Sequence, residues 1–382
     1  MARLTRPGQG VRRDHAPRAV KRYGAQVLTS GRLTLSSVLL ALVLVSVGCA
    51  APATDSGDRG DRASVRDPAV GTDSASAPVL RRRRTRFVVA ISVDGLNAAA
   101  LKRLGRRGAP NFHRLLRQGA ATLNARTEYE RTITLPNHTG MLTGRRVNRN
   151  RGGHGVYFNT DSGLTVHDAA GSPVASVFDV VHDQGRRTAL FTSKAKFELF
   201  RRSWPASIDR FTVHRDNKRL MSAVRADLRR RPRAFTFVHL SAPDRAGHRH
   251  GFLSAAYYRA VRKTDRRLGE LLRTIQRQDL DRLTLVLTAD HGGTRDHGHG
   301  DVDRFSNYRV PFLTWGAGVA RGVNLYRINP AFHSPGHRRP GYRTRRQPIR
   351  NGMVANLTTS LLGMPAVPGS TLAPDQSLRL HR

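Results

Sequence analysis

The sequence predicts an α/β fold: a doubly wound, mostly parallel sheet with helices on both faces. Three observations predict it. Four short apolar runs, FVVAISV (Phe87–Val93), TALFT (Thr188–Thr192), FTFVHL (Phe235–Leu240) and LTLVLT (Leu283–Thr288), have the length and β-branched content of strands buried on both sides. Amphipathic segments of helical period lie between them, above all Tyr257 to Ile275 with Tyr258, Val261, Leu268, Leu271, Leu272 and Ile275 on one face. Three of the runs end in polar residues: Asp94 after the first, Asp244 with His248 after the third, Asp290 with His291 after the fourth. In a doubly wound sheet the carboxyl ends of the strands share one edge, where ligands bind.

At 382 residues the chain is long enough for a large core without staples. Its one cysteine, Cys49, excludes an intrachain disulfide and a thiolate cluster, so any metal must be held by His and carboxylate. Lys and Arg number 66 against 27 Asp and Glu, a net charge of +39. The excess is mostly Arg spread over every segment, without heptads, zinc-finger spacing or interleaved aromatics. It reads as a general Arg bias that favours anionic substrates or lipid headgroups, with no specific nucleic-acid module.

In chain order, residues 1–49 read as an export signal. A basic start precedes the apolar run Leu33–Val47, which is shorter than the ~20 residues that span a bilayer. Gly48, Cys49 and Ala50 resemble a bacterial lipoprotein processing site, so the expected product is an exported cell-surface lipoprotein held to the membrane through Cys49. Plain secretion or an uncleaved anchor are the alternatives. Residues 50–86, rich in Ala, Ser, Asp, Gly and Arg, read as a flexible tether. A single domain is expected over 87–369, and a tail over 370–382.

Within that domain the first strand ends at Asp94 and Gly95. Pro110–Gln118 reads as a helix, with Pro at its start and Gly119 after it. In TITLPNHTGMLTG (Thr132–Gly144) the nearby Pro136 biases Thr134 to extended backbone, and a helix is expected to open just beyond it. A hydroxyl there faces the N–H groups of a helix start, where an anion rests. Asn159 closes a glycine-rich loop from His154, and Ser176–Asp183 opens a helix. Lys194 and Lys196, just past the second run, read as solvated. Asp244 and His248 share a face if their segment is helical, or converge on one ion if it is a loop. After Asp290 and His291, a Gly292–Gly293 turn leads to His297, His299 and Asp301. Val310–Trp315 supplies a further strand, residues 318–345 read as Arg-rich loop, and Gln347–Leu362 as a closing helix.

The motifs VDG (Val93–Gly95), TLPNHTGMLTG (Thr134–Gly144), HGVYFN (His154–Asn159), PDRAGH (Pro243–His248) and TADHGG (Thr288–Gly293) resemble the alkaline phosphatase superfamily. They are most similar to its type I phosphodiesterase/nucleotide pyrophosphatase branch, over about Phe87 to about Gly369. The resemblance implies two zinc ions, one held by Asp94, Thr134, Asp290 and His291, the other by Asp244, His248 and a third histidine. His299 is the choice for that third position, because GHGD leading into NYRVPF looks like the branch's short form; His297 is the alternative. The resemblance also implies a zinc-dependent phosphoric ester hydrolase, with Thr134 as nucleophile, a phosphothreonine intermediate and an anionic phosphoester substrate. Asn159 would donate to a non-bridging oxygen, and Tyr157, Phe158 and the Lys194/Lys196 loop would touch substrate. The same framework serves phosphomonoesterases, phosphonate hydrolases, and phosphoglycerol or phosphoethanolamine transferases. A Thr134 with no cysteine nearby argues against a sulfatase. A non-catalytic cell-surface protein that binds polyanions is the reading from another class.

Overall fold

The computed structural model describes residues 85–381. The export segment, Cys49 and all but the end of the tether lie outside the described residues. Eight strands build one sheet: β1 (Phe87–Val93), β2 (Ala120–Arg126), β3 (Thr188–Thr192), β4 (Phe211–Val213), β5 (Phe235–Leu240), β6 (Leu283–Thr288), β7 (Arg309–Gly316) and β8 (Val323–Asn324). Their order is β4-β3-β5-β1-β6-β7-β2-β8. Every described pairing is parallel except those of β7, which runs antiparallel to both β6 and β2.

The helices are α1 (Ala98–Gly108), α2 (Pro110–Gln118), α3 (Thr134–Thr143), α4 (Val166–Ala170), α5 (Val177–Asp183) and α6 (Glu198–Ser203). They continue with α7 (Asn217–Arg230), α8 (Ala242–His250), α9 (Ala255–Arg277), α10 (Phe305–Tyr308), α11 (Leu325–Ile328) and α12 (Val354–Leu362). On one face α9 packs against α1, α2, α7 and α8; on the other α12 packs against α3, α5 and β1. The sheet is therefore covered on both sides, which is why β1, β3, β5 and β6 are continuous apolar runs with no polar face. No helix among the described residues is long and apolar enough to cross a membrane.

The four apolar runs form strands with the predicted bounds, and α2 spans Pro110–Gln118 as its Pro and Gly punctuation requires. Other expectations are corrected. Thr134 is the first residue of α3 and not an extended residue before it; the residue directly before the proline is Leu135, and it too is accepted in the first turn. Of the two alternatives left open for Asp244 and His248, the structure takes the helix, α8, so the two residues stand one turn apart on one face. Residues 318–345 carry β8 and α11, and the closing helix begins only after the short 3₁₀ turn Asn351–Met353. Residues 370–381 lie against the domain, with Leu372, Leu378 and Leu380 buried and the Leu372 N–H bonded to the Gly144 carbonyl.

Register decides what meets at the carboxyl edge. Ser92 of β1 is level with Thr288 of β6 and with His239 of β5, and His239 is level with Thr192 of β3. Asp94, Asp290 and Lys194 each stand two residues past that line. They arrive at one place.

Candidate active site

Three carboxylates and a cation converge there. Lys194 Nζ lies 2.6 Å from Asp94 Oδ2 and 2.7 Å from Asp244 Oδ2, and 3.5 Å from Thr134 Oγ1. The expectation that Lys194 is solvated is thus overturned: three acceptors hold it more firmly than water would. Lys196 is likewise engaged, donating to Asn159 Oδ1 at 2.8 Å and to the Asn159 carbonyl at 3.0 Å.

The imidazoles show which nitrogens have lone pairs to offer, because a ring nitrogen that faces a carbonyl must carry the proton. His291 Nδ1 donates to the Gly292 carbonyl at 2.9 Å, and His299 Nδ1 to the Thr132 carbonyl at 2.8 Å. Each Nε2 is then a bare acceptor. His299 Nε2 meets His248 Nε2 at 3.0 Å, and the rings of His291 and His299 stack at 3.7 Å. His291 Nε2 lies 3.4 Å from Asp94 Oδ1 and 3.2 Å from Asp290 Oδ2, while His248 Nε2 lies 3.3 Å from Asp244 Oδ1.

Asp94 Oδ1, Asp244 Oδ1, Asp290 Oδ2 and His291 Nε2 are all buried, yet none has a hydrogen-bond partner among the described residues. Buried acceptors are ordinarily satisfied. Acceptors crowded face to face without donors are the signature of a site built for cations. The donor set sorts into Asp94, Asp290 and His291 on one side and Asp244, His291 and His299 on the other, with His248 beside the second. It is an oxygen and imidazole set, which suits zinc and similar ions.

The electrostatics follow from burial and crowding. Burial raises the Asp94 carboxyl, but Lys194 and His239 outweigh it and hold the group well below the usual range. Burial and the neighbouring Asp94 push Asp290 well above it. Against burial and Asp94, the His248 contact and Lys194 hold Asp244 down at about 2. Burial and His299 push His291 down to about 3, so its ring is neutral and free to ligate at neutral pH.

Thr134 lies at the N-terminal end of α3, only 1% exposed, with its hydroxyl beside this cluster. Asn159 is oriented by two donors on its Oδ1, the Leu135 N–H at 3.0 Å and Lys196 Nζ. That fixes the amide so that Nδ2 has its two N–H groups to give elsewhere. Of the remaining residues singled out from sequence, Tyr157 is 37% exposed under the Arg131 guanidinium and stands at the rim. Phe158 is half-buried against the core. His297 is exposed at φ +69 with its Nδ1 on the His248 carbonyl, and Asp301 is exposed and bonded to Arg304. Neither joins the cluster.

A second layer escaped sequence reasoning. His239 Nε2 donates to Asp94 Oδ2 at 2.9 Å, and His138 bridges the Thr134 carbonyl at 2.7 Å and Ser92 Oγ at 2.8 Å. Burial depresses the pKa of both rings, which makes them neutral positioning groups. Asn351 Nδ2 donates to Asn137 Oδ1 and to the Ala289 carbonyl, tying α3 to the end of β6. The available signal was the position of His239 inside a core strand, where a polar residue must have a partner.

Phe252 fills the centre of the arrangement. A Cβ on Gly95 would come within 2.9 Å of its ring and one on Gly247 within 2.6 Å, and one on Gly293 would overlap it. Three chain segments, after β1, in α8 and after β6, thus close on one aromatic side chain.

A family model described as type I phosphodiesterase / nucleotide pyrophosphatase matches residues 88–339. The chain is 32% identical over 130 residues to GPI ethanolamine phosphate transferase 1 of Gibberella zeae, over 34% of this chain and 12% of that protein. It is 24% identical over 250 residues to human ectonucleotide pyrophosphatase/phosphodiesterase family member 7, over 61% of this chain and 54% of that one. In both cases the match spans less than two thirds of the relative. Among solved structures, murine ectonucleotide pyrophosphatase/phosphodiesterase 5, an inactive variant in complex with AMP, superposes with a TM-score of 0.57 at 14% identity, over 77% of this chain and 99% of that chain.

Proposed function

Because this chain belongs to the type I phosphodiesterase/nucleotide pyrophosphatase family, we propose that it is a zinc-dependent phosphoric ester hydrolase that cleaves phosphodiester or pyrophosphate bonds through Thr134. What carries the reading is the set of buried ligand atoms without partners, Asp94 Oδ1, Asp244 Oδ1, Asp290 Oδ2 and His291 Nε2, gathered beside one threonine hydroxyl. Asp94, Asp290 and His291 with Thr134 would hold one zinc ion, and Asp244, His248 and His299 the other. When bound, such ions lower the pKa of a coordinated hydroxyl and offset the charge of the leaving oxygen.

The chain's own residues supply the rest. Thr134 Oγ1 attacks phosphorus in line; the P–O bond to the leaving group breaks, and the threonine carries the phosphoryl group. Water then attacks the phosphothreonine, restores the hydroxyl and releases the product. Asn159, pinned through Oδ1, donates Nδ2–H to a non-bridging oxygen as charge builds there. Lys194 sits among the carboxylates, where it counters the phosphate charge.

Replacing Thr134 with Ala should abolish hydrolysis of bis-nitrophenyl phosphate while bound zinc, read by elemental analysis, stays at the wild-type level. An active variant would remove the nucleophile assignment. The partial likeness to an ethanolamine phosphate transferase favours a second reading, in which an alcohol takes the phosphoryl group from Thr134 instead of water. Turnover in the presence of ethanolamine or glycerol, with products resolved by mass, separates the two.

A further inference from the structure

The candidate centre draws parts from separate places in the chain: Asp290 and His291 after β6, Thr134 at the start of α3, and His299, which Thr132 holds twice. His299 Nδ1 donates to the Thr132 carbonyl at 2.8 Å, and the Thr132 hydroxyl donates to the His299 carbonyl at 2.5 Å. One pair of amides reaches all of these segments. Asn351 opens the 3₁₀ turn before α12, Asn137 lies on α3 three residues past Thr134, and both are fully buried. Asn351 Nδ2 lies 3.1 Å from the Ala289 carbonyl and 3.4 Å from that of Asp290, and donates to Asn137 Oδ1 at 3.0 Å. Asn137 Nδ2 in turn donates to the carbonyls of Arg131 at 2.9 Å and Ile133 at 3.0 Å, the residues on either side of Thr132.

The joint has no slack at either end. Arg350, just before the turn, bridges Arg126 of β2, and a Cβ on Gly352, just after Asn351, would overlap Glu128 Oε1. Asn137 Oδ1 is also held by the Glu128 N–H at 2.9 Å. Apart from the bond between the two amides, every donor bond of the pair ends on a backbone carbonyl of a segment that carries or flanks a site residue. The pair therefore acts through what it holds in place.

We infer that Asn351 is a positioning residue: through Asn137 and the Ala289–Asp290 backbone it fixes where Thr134 Oγ1 stands relative to the two candidate ligand sets. The inference rests on the hydrolase reading above and adds to it a residue from the far end of the domain. A nucleophile displaced by as little as about 1 Å can lose roughly a hundredfold in rate, so a buried joint between its helix and the ligand-bearing turn governs turnover without touching substrate. A buried carbonyl that loses its donor turns toward another, and the turn it belongs to moves with it.

The test compares whole-protein variants for hydrolysis of bis-nitrophenyl phosphate, for zinc retained against a graded chelator, and for melting temperature. Asn351→Leu removes the donors, and Asn351→Asp sets an oxygen against three oxygens at nearly unchanged shape. Each should lower kcat by about 10–100-fold with KM within about twofold of the wild type, and zinc should be lost at about a tenfold lower chelator concentration. Asn351→Ser, a milder change that keeps one donor, should fall between them and the wild type. The control is Asn356→Leu in α12. Asn356 is buried too, but it bonds Ser370, Leu372 and Val367 of the C-terminal segment and no part of the site. It should lower the melting temperature and leave kcat and zinc retention unchanged. The inference falls if the Asn351 variants keep wild-type kcat and zinc retention, or if Asn356→Leu loses both to the same extent. A wild-type protein that leaves bis-nitrophenyl phosphate intact with zinc present would overturn the hydrolase reading instead, and the chelator midpoints would still decide the joint.

Discussion

A side chain acts in this site according to what its other atoms are bound to. Asn159 is the clearest case, since two donors fix its oxygen and thereby aim its N–H groups. Asn159→Ala should therefore lower kcat by about 10²–10³ with little change in KM, the pattern of a contact made to developing charge. Steady-state kinetics on a small diester reads it; an equal rise in KM would mean ground-state binding instead. Glu128 gives a prediction of another kind. Burial, against the hydrogen bond from Tyr342, pushes its carboxyl up to about 8. The folded chain therefore keeps a proton that the unfolded chain, with an ordinary glutamate at 4.5, gives up. Stability from this group is complete below the unfolded value and is lost as pH rises toward 8. The melting temperature should fall across that window, and Glu128→Gln should flatten the fall. At this scale the sequence was partly legible. Asp94, Asp244 and Asp290 stand out because a carboxylate is conspicuous at the end of an apolar strand. Lys194 does not, since a lysine past a strand is ordinarily solvated; only its register, level with Asp94 and Asp290, sets it apart.

Elements position these residues through contacts that leave little slack. The turns after β1 and β6 and the helix α8 all close on Phe252 through glycines. Gly293→Ala should destabilise by about 1–3 kcal/mol through overpacking, and Phe252→Ala by about 3–5 kcal/mol through the cavity it leaves. Phe252→Ala removes the collision that Gly293→Ala creates, so the double variant should be less destabilised than the sum. Denaturant melts of all four proteins test this, and strict additivity would show that the ring and the turn are not in contact. Strands buried on both faces were legible because their runs are short, rich in β-branched and aromatic residues and closed by turn residues, which favours a strand over a helix. β2 was missed: AATLNAR carries small and polar residues, and it pairs beside the short β8 at the sheet's edge. α7 was hidden by its arginines, although Leu220, Met221, Val224 and Leu228 form its buried face.

For the whole molecule, the sheet sets one edge for chemistry. The antiparallel β7 was beyond sequence reasoning, because direction within a sheet is decided by connections and not by the strand's own residues. Buried acceptors without donors predict that a bound cation adds to the stability of the fold. Zinc at about a hundred times its dissociation constant should stabilise the protein by about 2.7 kcal/mol per independent site, with the melting temperature rising by several degrees. Chelator should reverse the rise, and scanning calorimetry with and without zinc measures it. A melting temperature indifferent to zinc would remove the metal assignment.

The ring of Phe252 works as a keystone under three arches. No one arch can be widened alone: a methyl group added to any of the three glycines runs into the same ring, so each trial substitution there forces the ring to shift. Redesign of this site for another ion or another ester must therefore replace stone and arch in one step.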